Sequence, residues 1–172
     1  MLSMVDSVLL LVDAVDGPMP QTRFVTQKAF ERGLCPIVVI NKIDRPGARP
    51  NWAMDQVFDL FDNLGATDEQ LDFSAVFTSA INGVAGLDCD EVADNMEPLF
   101  KTIVDQVPPP KVDKTGPFQM QISALDYDSY TGVIGIGRIS RGSAKPGMQV
   151  CVNNIHGENR RGKILSVKEY LG

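Results

Sequence analysis

The chain has 172 residues, 44% of them hydrophobic, and a formal net charge of -6, which allows one domain or two small ones with a sizeable buried core. No run reaches the eighteen or so apolar residues of a membrane helix; Asp6 and Asp13 interrupt the apolar opening and no basic residue precedes it, which argues against a secretory signal. Residues 1–110 carry 7 Lys and Arg against 17 Asp and Glu, whereas residues 111–172 carry 9 against 5, so the rear third is basic and the expected setting is the cytoplasm, without a membrane partner.

Taken in order, Ser7 to Val12 is a continuous apolar run closed by Asp13 and the turn signal Asp16-Gly17-Pro18, which predicts a strand buried on both faces. Thr22 to Arg32 predicts a helix with Phe24, Val25, Ala29 and Phe30 inward and Gly33 as its stop. Ile37 to Ile40 predicts a second buried strand. From Asn51 to Leu64, the apolar residues Val57, Phe58, Phe61 and Leu64 recur at helical spacing, with Trp52, Met54 and Phe58 as packing residues and Gly65 as the cap. Phe73 to Thr78 predicts a third strand, and Glu91 to Val107 a helix with Met96, Leu99, Phe100, Ile103 and Val107 on one face. Strand alternating with helix is the pattern of a doubly wound parallel sheet.

Pro108-Pro109-Pro110 ends that pattern, because successive prolines cannot continue a helix and hold an extended linker. The period then becomes two: Phe118 to Ile122 and Val133 to Ile139 alternate, and Lys145-Pro146-Gly147 and His156-Gly157-Glu158 mark turns. An incomplete antiparallel β-barrel is expected there. The domain reading is 1–107, a linker at 108–116, and 117–172. Cys35, Cys89 and Cys151 are odd in number and far apart, as for reduced, buried thiols. His156 stands alone, no metal ligands are readable, and no residue is assigned a catalytic role.

The residues with chemical content follow the buried strands. Asn41-Lys42-Ile43-Asp44 directly follows Ile37 to Ile40, at the carboxyl edge where open α/β sheets bind ligands. A carboxylate there offers two acceptors to the ring N–H and exocyclic amine of guanine, a bidentate contact that adenine cannot make. Asp44 is therefore the expected specificity residue, with Asn41 bracing the loop and the stem of Lys42 lying on the base. Ser79-Ala80-Ile81-Asn82-Gly83 leaves the third strand at the same edge, where the Ala80 amide meets the base carbonyl and Ser79 fixes the loop.

These segments, with Arg-Pro-Gly-Ala-Arg-Pro (45–50), Asp-Glu-Gln-Leu-Asp-Phe (68–73), Gly-Pro-Phe-Gln-Met-Gln-Ile-Ser (116–123) and Val-Ile-Gly-Ile-Gly-Arg-Ile (133–139), resemble the BipA/TypA GTPases, ribosome-associated relatives of elongation factor G. Asp-Ala-Val-Asp-Gly-Pro-Met-Pro-Gln-Thr-Arg (13–23) is shared more widely among translational GTPases. The resemblance implies the rear part of a P-loop-type GTP-binding domain followed by part of the β-barrel second domain of translation factors. It implies GTP or GDP as ligand, Asn41, Lys42 and Asp44 as the fourth guanine-nucleotide motif, Ser79 and Ala80 in the fifth, and the ribosome as partner.

The family's phosphate loop, G-x-x-x-x-G-K-S/T, and both switches have no counterpart here. The chain is thus expected to be an internal piece of a longer protein that binds Mg²⁺ outside these residues, and to lack GTP hydrolysis alone. Asp113-Lys114-Thr115-Gly116 spells D-x-x-G but follows prolines rather than a buried strand, and reads as chance. Gly132, Gly135 and Gly137 read as barrel glycines. Asp13 and Asp16 read as turn residues. Two further expectations accompany this reading: an RNA- or ribosome-binding module whose basic rear is the active part, and a strand-edge dimer through the open edge of the first strand.

Overall fold

The computed structural model describes residues 2–169 and divides the chain into two compact units, Leu2–Pro109 and a second from Pro110 onward. In the first, β1 (Val8–Asp13), β2 (Pro36–Asn41) and β3 (Ala75–Ser79) are parallel neighbours, and β4 (Val84–Gly86) pairs antiparallel with β3. The crossovers are α1 (Pro20–Phe30) between β1 and β2, and α2 (Pro50–Asn63) with the short α3 (Asp68–Leu71) between β2 and β3; α4 (Glu97–Gln106) follows β4. Pro20 and Pro50 open α1 and α2, where a missing amide hydrogen costs nothing and the fixed φ suits a helix. Thr67 and Gln70 cap α3 reciprocally, each side chain accepting from the other's backbone amide.

Alternation along the strands feeds two apolar layers. Leu10, Val12, Val38, Ile40 and Phe77 pack with Ala53, Val57 and Phe61 of α2, while Ile37, Val39, Val76 and Ala85 pack with Leu99. Phe61 lies edge-on to both Phe30 and Phe73, at 5.0 and 4.8 Å between ring centroids. The mixed α/β reading with a parallel sheet therefore holds.

Several details differ from the sequence reading. β2 and β3 are buried on both faces; β1 is an edge of the sheet, and its Leu9 and Leu11 are exposed on the face opposite Leu10 and Val12. On α1 the buried residues are Thr26 and Ala29, whereas Phe24 and Val25 are exposed; Thr26 tolerates burial because its hydroxyl donates to the Thr22 carbonyl at 2.8 Å. Phe58 and Phe100 also face outward. α4 begins at Glu97 rather than Glu91 because Ala93 and Asn95 exchange backbone hydrogen bonds with Ala85 and the flanking residues turn on side chains. Asp88 accepts from the Asp90 amide, and Asn95 from the Glu97 amide. Cys35 and Cys151 are exposed and Cys89 half-buried, so the expectation of buried thiols fails.

In the second unit, β5 (Gln119–Asp128) pairs with β6 (Gly132–Arg141), and β7 (Gln149–Asn153) with β8 (Asn159–Lys163), both antiparallel. No closed barrel forms among the described residues, and residues 170–172 of the expected barrel lie outside them. Gly137 is required by close approach: a Cβ there would overlap the Gln121 carbonyl oxygen, beside a register shift between Ile122 and Ala124. Asp113 accepts from the amides of Thr115 and Gly116 and from the Thr115 hydroxyl, so D-x-x-G here is a side-chain-closed turn.

Candidate functional site: a sheet edge with two joined loops

Parallel register puts Asp13 opposite Asn41, and Asn41 opposite Thr78. The loops after β1, β2 and β3 therefore leave one edge at one level. Two of these loops are joined by the predicted residues. The Asn41 side-chain oxygen accepts from the Ala80 amide and from the Thr78 hydroxyl, each at 3.1 Å. The Ser79 hydroxyl donates to Asp44 Oδ1 at 2.5 Å and accepts from the Asn82 amide at 3.4 Å. Ser79 is buried, while Asp44 and Ala80 are exposed. One carboxylate oxygen of Asp44 is thus fixed from beneath, and the group remains open to solvent with acceptor capacity on both oxygens.

In one respect the arrangement differs from expectation. The Ala80 amide is not open but donates to Asn41, so a base carbonyl reaches it only by sharing or displacing that bond.

Lys42 occupies a left-handed backbone conformation with φ 68°, the only positive φ of a non-glycine among the described residues. Its ammonium donates to Asp13 Oδ2 at 2.5 Å. Asp13 Oδ1 accepts from the Val15 amide at 2.8 Å. The bond from Lys42 does most to hold the Asp13 carboxyl below its usual range, with the Val15 amide next. Sequence reasoning assigned Asp13 to its turn and missed this contact. Its position at the end of β1, the same distance into the sheet as Asn41, is the signal that finds it.

Beyond Asp13 the turn is braced by the segment after the Asn-Lys-Ile-Asp loop. The Arg49 amide donates to the Ala14 carbonyl at 2.8 Å, and its guanidinium lies 3.8 Å from the Trp52 ring centroid. Trp52 covers Gly17, whose φ of 72° and 3.0 Å of room for a Cβ explain the glycine. Elsewhere, a cavity of about 750 Å³ has Asp88, Glu91, Glu97 and Asp105 in its walls and includes none of the five predicted residues. Burial and the flanking carboxylates Asp90 and Asp88 push the Cys89 thiol up, away from the thiolate a metal or an electrophile needs.

With this geometry described, the relatives become informative. The Elongation factor Tu GTP binding domain family matches residues 1–109. The chain belongs to that family. Over 171 residues, 99% of the chain, it is 67% identical to the large ribosomal subunit assembly factor BipA of Haemophilus influenzae and 66% identical to that of Escherichia coli K12. The BipA of Buchnera aphidicola is 59% identical over the same span. The BipA/TypA resemblance read from the sequence is borne out. The chain spans 28% of the length of these curated relatives. Among solved structures, apo translation elongation factor SelB from Methanococcus maripaludis superposes with a TM-score of 0.63 at 20% identity, over 92% of this chain and 34% of that one. This likeness concerns the fold: a translation-factor architecture.

Proposed function

We propose that residues 1–107 are the base-reading half of a guanine-nucleotide site in a ribosome-associated translational GTPase of the BipA kind, with residues from about 117 onward contributing part of its second, β-barrel domain after the 108–116 linker. In this reading Asp44 accepts from the ring N–H and amine of guanine, the Lys42 stem lies on the base, Asn41 and Ser79 lock the two loops together, and Ala80 turns its amide to the base carbonyl. The observation that carries it is the joining of the loops after β2 and β3 by Asp44–Ser79 and Asn41–Ala80. GTP and GDP are the ligands. Phosphate-loop donors and Mg²⁺ belong to residues outside these 172, so the chain alone does not hydrolyse GTP. The ribosome is the partner and the cytoplasm the setting; no helix among the described residues is long and apolar enough to cross a membrane.

The test is titration of the 172-residue chain with millimolar GDP and guanosine, followed at the amides of residues 41–45 and 79–83. Hydrogen bonds to a charged group contribute about 1.5–3 kcal/mol, so Asp44→Asn should weaken both ligands by roughly ten- to a hundredfold. Equal affinity in Asp44→Asn, or GTP turnover above background that Asp44→Asn abolishes, would sink the respective halves of the proposal.

A second reading is favoured by β8, which exposes Arg160, Arg161 and Lys163: an RNA-binding surface in the basic rear. RNA affinity that falls steeply with salt and ignores GDP would support it. The open edge of β1, with Leu9 and Leu11 exposed, further leads us to expect pairing between copies. Sedimentation should show concentration-dependent dimers that Leu11→Lys removes; a strictly monomeric wild type refutes the pairing.

A further inference from the structure

We propose that Asp13 is a positioning residue for the base-reading loop: anchored at the end of β1, it holds the Lys42 ammonium and so fixes the path of the Lys42 stem across the base site. This rests on the guanine-site reading above and adds a third strand end to it.

The two partners differ in a telling way. The Asp13 side chain is 13% exposed and that of Lys42 41%, so the carboxylate is the sheltered anchor and the lysine the accessible arm. Asp13 itself has little freedom. Its Oδ1 is held by the Val15 amide, its carbonyl accepts from the Gly17 amide at 2.8 Å, and the neighbouring Ala14 amide donates to the Asn41 carbonyl at 2.8 Å. Arg49 and Trp52 close the same turn from outside. A lysine stem without an anchor samples many rotamers, and ordering them on ligand arrival costs affinity. The left-handed backbone of Lys42 is likewise a conformation that persists only where its surroundings enforce it. Asp13 on one side and the Asn41 clasp on the other supply that enforcement.

Asp13→Asn, Asp13→Glu, Lys42→Met and the double variant Asp13→Asn/Lys42→Met form the test, with guanosine and GDP as probes. Asp13→Asn should weaken both by the same factor, about fivefold, because the effect falls on the base and not on the phosphates. Asp13→Glu should restore part of the loss. In the Lys42→Met background Asp13→Asn should change nothing further, since the carboxylate acts through the ammonium. A loss of equal size in both backgrounds would show that Asp13 merely holds its turn, and a loss confined to GDP would place its action on the phosphates; either overturns the inference.

Amide exchange of the unliganded chain decides the same point without ligand. Asp13→Asn and Lys42→Met should each speed exchange at Ile43–Arg45 several-fold, non-additively, with Val76–Thr78 unchanged; unaltered exchange at Ile43–Arg45 overturns the inference. An Asp44→Asn variant that binds guanosine normally would instead sink the guanine-site reading, leaving the exchange result to stand by itself.

Discussion

Every buried residue among those described lies before Pro110; from Pro110 onward none is buried, although both regions are rich in strands. In the front unit β1, β2 and β3 are parallel, so each connection between them needs a crossover helix; these helices cover one face of the sheet and α4 covers the other. The rear strands are joined by turns and satisfy their backbones locally, which asks for no second layer. Hydrogen-bonded order and apolar burial are thus separable. The front unit depends on burial, the rear on ladders and turn chemistry.

The contrast breaks most visibly under truncation of side chains. Phe61 is fully buried between Phe30 and Phe73, and Phe61→Ala should cost about 3–5 kcal/mol in urea denaturation. Leu125, 71% exposed in β5, should change stability by no more than about 0.5 kcal/mol when replaced by Ala. Comparable losses at the two positions would show that the rear acquires a core in solution. Backbone crowding should narrow the difference: Gly137→Val forces a Cβ against the Gln121 carbonyl and should cost roughly 1–3 kcal/mol. It should be seen as loss of cross-strand contacts between β5 and β6 in NMR spectra, with β1–β3 amides intact.

The same difference explains which features were readable in the sequence. β2 was legible because Ile37 to Ile40 is a continuous apolar run, the mark of burial on both faces. The placement of Asn41, Lys42 and Asp44 at the sheet edge was legible because they lie at and just beyond the end of that strand, and that of Ser79 because it ends the next one. β1 carries the same kind of run but lies at the edge, and an apolar run does not reveal which neighbours its strand will have. β4 is three residues long, too short for any period to register. α4 was read six residues long at its start because Ala93 forms a backbone bridge with Ala85 while Asp88 and Asn95 close turns with their own side chains, competing structure that helical spacing does not record. The Asp13–Lys42 contact spans 29 residues and depends on parallel register, which exists only once the crossover is built.

The smallest effect sharpens the comparison through acid and salt. Asp13, Asp113 and Asp128 all have carboxyls held below their usual range, for different reasons. Asp13 owes it first to Lys42 across the sheet, Asp113 to the Thr115 hydroxyl and amide, and Asp128 to the amides of Thr131 and Tyr130. A carboxylate whose folded value is lowered stabilises the fold fully above its ordinary value of about 3.9, and that contribution disappears as pH falls through the lowered folded value. The stability gap between wild type and Asp13→Asn should therefore stay constant above about pH 5 and close below about pH 4. Its size should be under about 1 kcal/mol, since the lysine end is partly solvated. At neutral pH, 1 M salt should shrink that gap by screening the ion pair across β1 and β2. The turns at Asp113 and Asp128 are closed chiefly by hydrogen bonds over two or three residues, and their amide shifts should barely respond to the same salt. Equal salt sensitivity in front and rear would mean that Asp13, too, is governed by its own turn rather than by Lys42.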